Sequence, residues 1–527
     1  MNKPIKWRMS SALKTLLILF WTVSLLLPLL SMLSNLADVD IVKTMTGRAF
    51  KKALRNSLTV SSLSTLISVS LAWALAWCTA RTNIRFKPLF TLLFSLPMLI
   101  PSISHGMGLI ILFGGNGILT NLLGLESTIY GFGGIVLGSV MYSFPVAYLM
   151  IYDILKYEDA TPYEAAAVMG LRRIDQFTAI TLPYLRKPMI SVIFATFTMI
   201  VTDYGVPLMI GGKYSTLPVI MYQDVVGLLD FGKGSVVGLI LLIPSLIACV
   251  LDMASKDKGN SGYTTRPFDI RPSRARDALA YALCALVCLF VLLPICVFVL
   301  ICVVNQYPHD MRFSLANIAG AMQLGVAGYL RNSLLIAAAV SVIGCAVAVV
   351  TAYMTARMPS RSSRFIHLMS ITSLAVPGIV LGLSYALFFS GSFLYGTFAI
   401  LILVNTMHFF ASPYLMMYNT FGKLNENLEA VGTTLGISRF AILRDVLLPQ
   451  SYSTIAEMLS YFFVNSMMTI SAVSFLSNVS SKPVALMITQ FEAQNQLEAA
   501  AFVSLLILVA NLLVKGLTAA AKKQLSV

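Results

Sequence analysis

The chain has 527 residues, 57% of them hydrophobic and only 11% charged, with a mean hydropathy of +0.83. Soluble globular proteins carry about a quarter charged residues, so this composition excludes a water-soluble multidomain enzyme, and it is the reverse of what a disordered chain needs. A net charge of +15 could suit nucleic acid, but the basic residues sit in short clusters between apolar runs, as they do where a membrane protein fixes its orientation, so no nucleic-acid partner is expected.

A helix crossing the ~30 Å hydrocarbon core needs roughly 20 predominantly apolar residues. About twelve windows qualify: 12–34, 56–80, 89–113, 130–155, 188–210, 234–251, 278–304, 330–356, 366–390, 393–419, 451–477 and 498–514. The runs are continuous rather than alternating, which predicts helices and not a barrel. The first window is expected to be an uncleaved anchor, because its apolar stretch is long and no small-x-small site precedes Asp38. With the N-terminus inside, the inner segments hold 27 Lys and Arg and the outer ones 10, which predicts both termini in the cytoplasm. The outer cluster Lys43, Arg48, Lys51, Lys52 and Arg55 runs against this bias without reversing it. All seven cysteines lie in apolar segments and none forms a C-x-x-C pair, so neither a disulfide scaffold nor a zinc site is expected.

The sequence repeats itself. Leu54-Arg55-Asn56-Ser57-Leu58 recurs as Leu330-Arg331-Asn332-Ser333-Leu334, and Thr79-Ala80-Arg81 as Thr355-Ala356-Arg357, both at an offset of 276 that also matches Pro101 and Gly106 to Pro377 and Gly382. The offset then becomes 266, pairing Tyr152 with Tyr418, Gly170 with Gly436 and Pro183 with Pro449. Six helices per half is an even number, so the halves are parallel repeats about an axis along the membrane normal. The expected fold is an all-α polytopic membrane protein: residues 1–251 as one six-helix half, 278–527 as the other, and a polar cytoplasmic linker over 252–277.

Each half has one long inner loop between its fourth and fifth helices. In the first, Thr161 is the expected N-cap, Pro162 the first helical residue and Glu164 the partner in a capping box. Ala165 to Ala167 favour helix, and Gly170 can adopt the left-handed conformation that ends one. A short, capped, exposed helix of this kind suits a docking element that a soluble partner pushes as a unit. In the second loop Asn427 is the expected N-cap and Glu429 lies in the first turn, where the helix dipole favours it.

Glu164-Ala165-Ala166, three residues, Gly170, nine residues and Ile180-x-Leu182-Pro183 resemble the E-A-A loop of the permeases of binding-protein-dependent ABC importers. The second half keeps Gly436 and Val446-Leu447-Leu448-Pro449 at the same spacing. It departs at the front, where Ala430-Val431-Gly432 occupy the E-A-A positions and Glu429 lies one residue early. The resemblance implies that Glu164, Ala165, Ala166 and Gly170, with Glu429, Ala430 and Gly436, form helices that seat in an ATP-hydrolysing subunit, two copies in all, while an extracytoplasmic binding protein delivers the solute. It covers the whole chain and is nearest to the double-length permeases for ferric iron, thiamine and 2-aminoethylphosphonate. Thr202 to Gly212 and Asn465 to Val473 look closer to the aminoethylphosphonate group. The resemblance therefore implies a prokaryotic inner-membrane permease carrying 2-aminoethylphosphonate or ferric iron ahead of thiamine or a polyamine.

No G-x-x-x-x-G-K-[ST] string occurs. Gly211-Gly212-Lys213-Tyr214 fails because Pro207 stands at the first glycine and Tyr214 replaces Ser/Thr, so ATP chemistry belongs to a partner. The four histidines show no i,i+4 pairing and no catalytic constellation converges, so no enzyme activity, cofactor or metal is expected. Asp203 is an isolated acid in an apolar window, costing roughly 2.5–3.5 kcal/mol at a span's centre. It is either a path residue or a solvated structural residue at the span's outer end. Its offset partner is Thr469, polar and uncharged. An ion-coupled secondary transporter with two parallel halves is the alternative, but it should show more buried charge and place its long loop between the halves.

Overall fold

The computed structural model describes residues 4–124, 129–255, 266, 268–270, 272–307, 309–425 and 427–525. Of the expected linker at 252–277, residues 256–265, 267 and 271 fall outside them. Among the described residues, nine helices are long and apolar enough to span a membrane, or eleven if two bent pairs each count as one span. All twelve expected windows hold helix, and the protein is a polytopic all-α membrane protein whose described residues include one small hairpin, Val304–Gln306 against Asp310–Phe313.

Several spans are not the continuous helices that hydropathy suggests. In the first half, Lys87–Ser95 tightens into a 3₁₀ turn at Leu96–Leu99 before Ser102–Phe113 begins. In the second, Arg361–Ala375 meets Gly378–Phe388 at 112°. The matched prolines Pro101 and Pro377 stand at the N-cap where each helix restarts. Proline has no N–H to continue the preceding helix and forces the residue before it into extended backbone, as Ile100 and Val376 are. Phe398–His408 and Ala411–Lys423 bend by 54°, and the window 451–477 is helical only over Tyr452–Met468 before the chain turns at Thr469.

The repeated motifs do the same work twice. Asn56 donates to the Ser215 carbonyl (2.9 Å) and the Ser57 hydroxyl accepts from the Leu217 N–H (2.8 Å). In the second half Asn332 donates to the Ser480 carbonyl (2.9 Å) and Ser333 accepts from the Val484 N–H (2.7 Å). Each pair ties the N-terminal part of its half's second helix to the irregular segment that follows the fifth, where polar backbone away from water needs partners. Gly106 and Gly382 mark equivalent close approaches: a Cβ on the first would stand 2.8 Å from Met209 Cβ, and one on the second 2.7 Å from the Ala472 carbonyl oxygen.

The halves also exchange their first helices. Ser11–Ala37 lies against the second half, with the Tyr385 hydroxyl donating to the Ser24 carbonyl (2.6 Å), the Trp21 and Phe410 rings edge to face at 4.7 Å, and Lys14 donating to the Met358 carbonyl (2.8 Å). Arg274–Cys302 reaches back to the first half, where Pro294 and Phe298 pack on Gly108. Just beyond it, the Tyr307 hydroxyl donates to the Ile111 and Asn116 carbonyls.

Candidate functional site

The first of the two loops expected on the inner face folds as the helix Thr161–Val168. The expected capping box is not formed: Ala160 is the N-cap, and no side-chain cap bond is made from Thr161 to its third successor. The cap is Asp159, whose Oδ1 accepts from the Thr161 N–H (3.1 Å), the Thr161 hydroxyl (2.9 Å) and the Arg266 N–H (3.1 Å). Those bonds, the Thr161 N–H foremost, hold its carboxyl below the usual carboxylate range. In the second loop Asn427 is the N-cap position of Leu428–Thr434 but makes no side-chain cap bond, and Asn425, at offset 266 from Asp159, accepts from the Asn427 N–H (2.9 Å). The cap sits two residues earlier than expected in both halves.

The two helices end identically. The Leu171 N–H bonds the Ala166 carbonyl (3.0 Å) and the Ile437 N–H bonds the Gly432 carbonyl (2.8 Å). Gly170 and Gly436 supply the positive φ, +76° and +71°, that this ending requires. Ala166 and Gly432 are the buried contact positions, and a Cβ on Gly432 would lie 2.3 Å from Ile442 Cδ1.

A matched arginine anchors each loop. Arg81 forms a buried ion pair with Glu158, which also accepts from the Tyr163 hydroxyl (2.5 Å), and its guanidinium lies 3.7 Å from the Phe268 ring centre. Burial first, and then the bond donated to Glu158, push the Tyr163 phenol up to about 12. Arg357 is more deeply held: its Nε bonds Glu429 (2.7 Å), a second nitrogen pairs with the other Glu429 oxygen, and the Leu424 and Asn425 carbonyls accept at 3.0 and 2.7 Å. Glu429 is therefore an inward tether, its side chain 13% exposed, whereas Glu164 is 61% exposed with Arg266 at 3.9 Å. Ala165 and Ala430 face outward.

Around each glycine, apolar side chains face solvent: Met169 (77%) and Ile174 (64%) in the first loop, Leu435 (68%) and Phe440 (68%) in the second. These pairs are equivalent at offset 266. In each loop these side chains form an exposed apolar cluster beside the helix-ending glycine.

Asp203 and Thr469 both lie where the fifth helix of a half gives way to irregular chain. Asp203 accepts from the N–H groups of Gly205 (3.2 Å) and Val206 (3.0 Å) and so caps Gly205–Ile210. One residue on, the Tyr204 hydroxyl meets the Ser474 hydroxyl of the other half at 2.6 Å. Asp203 thus caps a short helix beside a contact between the two halves.

Residues 65–252 and 344–527 match the binding-protein-dependent transport system inner membrane component family, one match in each half. The chain belongs to that family. This family member is 23% identical over 405 residues to a putative ferric transport system permease protein of Haemophilus influenzae, covering 73% of this chain and 64% of the relative. It is 24% identical over 395 residues to a thiamine transport system permease protein of Salmonella typhimurium, covering 72% of each. Over 164 residues it is 31% identical to a molybdenum transport system permease protein of Azotobacter vinelandii, covering 31% of this chain and 73% of that one. The alignments to the ferric relatives, from H. influenzae and Actinobacillus pleuropneumoniae, thus span 64% and 63% of those proteins' lengths. These relatives are named as transport permeases and not as enzymes.

Sequence reasoning placed both loops but missed their anchors and the apolar patch. Arg81 and Arg357 were visible as repeated residues without a role. Met169 and Leu435 flank the matched glycines, and an apolar residue beside a helix-ending glycine in an inner loop is the signal that would have found them.

Proposed function

We propose that this chain is the membrane-spanning permease of an ATP-driven, binding-protein-dependent importer in a prokaryotic inner membrane, with both termini cytoplasmic. Residues 1–251 and 278–527 act as its two halves and 252–277 joins them. The observation that carries this reading is the pair of equivalent inner helices, each anchored by an arginine at the end of its half's second helix and each presenting an exposed apolar cluster. Two copies of an ATP-binding subunit would seat on them, one per loop, and an extracytoplasmic binding protein would load the outer face. Partners that bind the outward- and inward-open states with different affinity supply the bias for switching. The loops bind unequally: Glu164, 61% exposed and 3.9 Å from an exposed Arg266, can exchange that cation for a partner's, while Glu429 is committed to Arg357. The relatives' names favour ferric iron over 2-aminoethylphosphonate as solute, with thiamine second. The test is purification of the chain from its own cells: an ATP-binding subunit should accompany it, and Met169→Asp with Leu435→Asp should remove that subunit while leaving the permease folded. Retention of the ATPase by the double variant refutes the assignment of these loops.

A further inference from the structure

The cluster that runs against the orientation bias, Lys43, Arg48, Lys51, Lys52 and Arg55, has a defined place in the fold. Arg48, Lys51, Lys52 and Arg55 fall at i, i+3, i+4 and i+7 in the first two turns of the helix Arg48–Arg81, so they share one face. All five cations are exposed, and among the described residues none of them lies within ion-pair distance of a carboxylate. The acid of segment 40–55 is Asp40, engaged as the N-cap of Ile41–Thr46 through the Lys43 N–H (2.8 Å). Every i,i+3 and i,i+4 pair on the face is therefore like-charged, which destabilises a helix unless an anion sits among them.

The same face runs on down the helix as Leu58, Leu63, Leu66, Ile67 and Trp77, all exposed, while Val60, Ser64, Ser68 and Ala72 on the opposite face are buried. Leu58 to Trp77 rises about 30 Å at 1.5 Å per residue, which is the thickness of the hydrocarbon core, with an amphipathic ring at its far limit. An exposed apolar stripe of that length faces acyl chains. Arg55 and Lys51 then stand about 5 and 10 Å beyond Leu58 along the axis, at the level of the headgroups of those same lipids. In the second half Arg331 and Leu334 match Arg55 and Leu58 at offset 276, and the exposed Leu335 and Val342 follow. The positions of Arg48, Lys51 and Lys52 are taken there by Leu324, Ala327 and Gly328. An arginine marks the boundary in both halves, but the first half alone builds a face of four cations around it.

We infer that this face binds anionic phospholipid, its guanidinium and ammonium groups holding the headgroup phosphates of lipids whose chains lie along Leu58 to Trp77. Arginine's fork matches a phosphate's oxygens, and basic residues beside a spanning helix attract acidic lipid. Continuity with the acyl-facing stripe is what favours lipid over an acidic protein surface. The inference needs the membrane span and not the importer reading.

Short-range fluorescence quenching tests it at the face itself. Ser62→Cys, and separately its offset partner Ala338→Cys, both exposed positions, carry a small fluorophore in the full chain, the signal of the labelled parent being subtracted. The chain is reconstituted in phosphatidylcholine vesicles containing one quarter phosphatidylglycerol, with a quencher on the upper acyl chain of one lipid or of the other. At roughly fivefold per cation, the association constant at Ser62→Cys should favour phosphatidylglycerol at least about tenfold, and that at Ala338→Cys by about fivefold or less. Arg48→Gln with Lys51→Gln and Lys52→Gln should bring the first value down to the second, and about 1 M salt should lower it through screening. Equal quenching by the two lipids at Ser62→Cys, a preference no larger than at Ala338→Cys, or one indifferent to the triple variant overturns the inference. Equal quenching together with loss of uptake in the triple variant would assign the face to an acidic protein instead. The lipid preference in a preparation with no associated ATPase would leave the site standing and remove the importer reading alone.

Discussion

Removal of Arg357 is the perturbation whose consequences the structure fixes most tightly. Its side chain is 4% exposed and binds both Glu429 oxygens and the carbonyls of Phe421, Leu424 and Asn425. Arg357→Ala leaves the Glu429 carboxylate sheltered without its cation and withdraws a donor from each carbonyl. Taking one partner from a buried ion pair costs about 3–5 kcal/mol, and at ~1.4 kcal/mol per tenfold that is roughly 10²- to 4 × 10³-fold in the opening equilibrium of the loop. Hydrogen exchange by mass spectrometry reads this directly, through the Gly436 and Ile437 amides that close the second helix on Thr433 and Gly432. Their protection should fall by at least about a hundredfold, while the equivalent Gly170 and Leu171 amides of the first loop keep theirs. Glu429→Gln, which keeps the hydrogen bonds but removes the charge, should give a smaller loss. A fall of less than about tenfold, or an equal fall in both loops, would refute the anchor.

Further outcomes follow from the same geometry. Gly170→Val or Gly436→Val forces a β-branched residue to a positive φ of 76° or 71°, costing about 1–3 kcal/mol of local stability and lowering ATPase-dependent uptake, whereas Ala165→Ser on the exposed face should change neither. Tyr163 stays protonated, and its bond to Glu158 intact, at every pH below the ordinary tyrosine range near 10. That contribution is lost as pH rises through about 12, so the 295 nm difference titration of wild type against Tyr163→Phe should show one phenol ionising there; a transition near 10 contradicts it. Gly106→Leu should destabilise the permease by driving the helix at Ser102–Phe113 off Met209, read as a lower Tm in detergent, and an unchanged Tm would show that the contact is slack.

Much of the architecture is legible in the chain, because apolar length and the two offsets are set directly by residue type. The same offsets led to the loop glycines, whose positive φ leaves glycine in both halves. What stayed hidden depends on contacts between distant segments. Pro101 and Pro377 were visible only as matched positions in the repeat, and hydropathy sums straight across the helix breaks they produce. The exchange of first helices leaves no periodic signature, since Ser11–Ala37 would be equally apolar against either half. Thr161 matches a capping box by spacing alone, but Asp159 outcompetes it because a carboxylate accepts from three donors at once. Glu429 looks like a displaced E-A-A glutamate until Arg357 is seen beneath it. Asp203 was ambiguous because its role depends on Gly205 and Val206 folding back as a new helix.

Reconstitution of the purified chain in lipid vesicles, with and without its ATP-binding subunit, tests the central claim most directly. Solute delivered by the binding protein should accumulate only when that subunit and ATP are both present. Accumulation driven by an ion gradient, with no nucleotide-hydrolysing partner in the vesicle, would contradict the account.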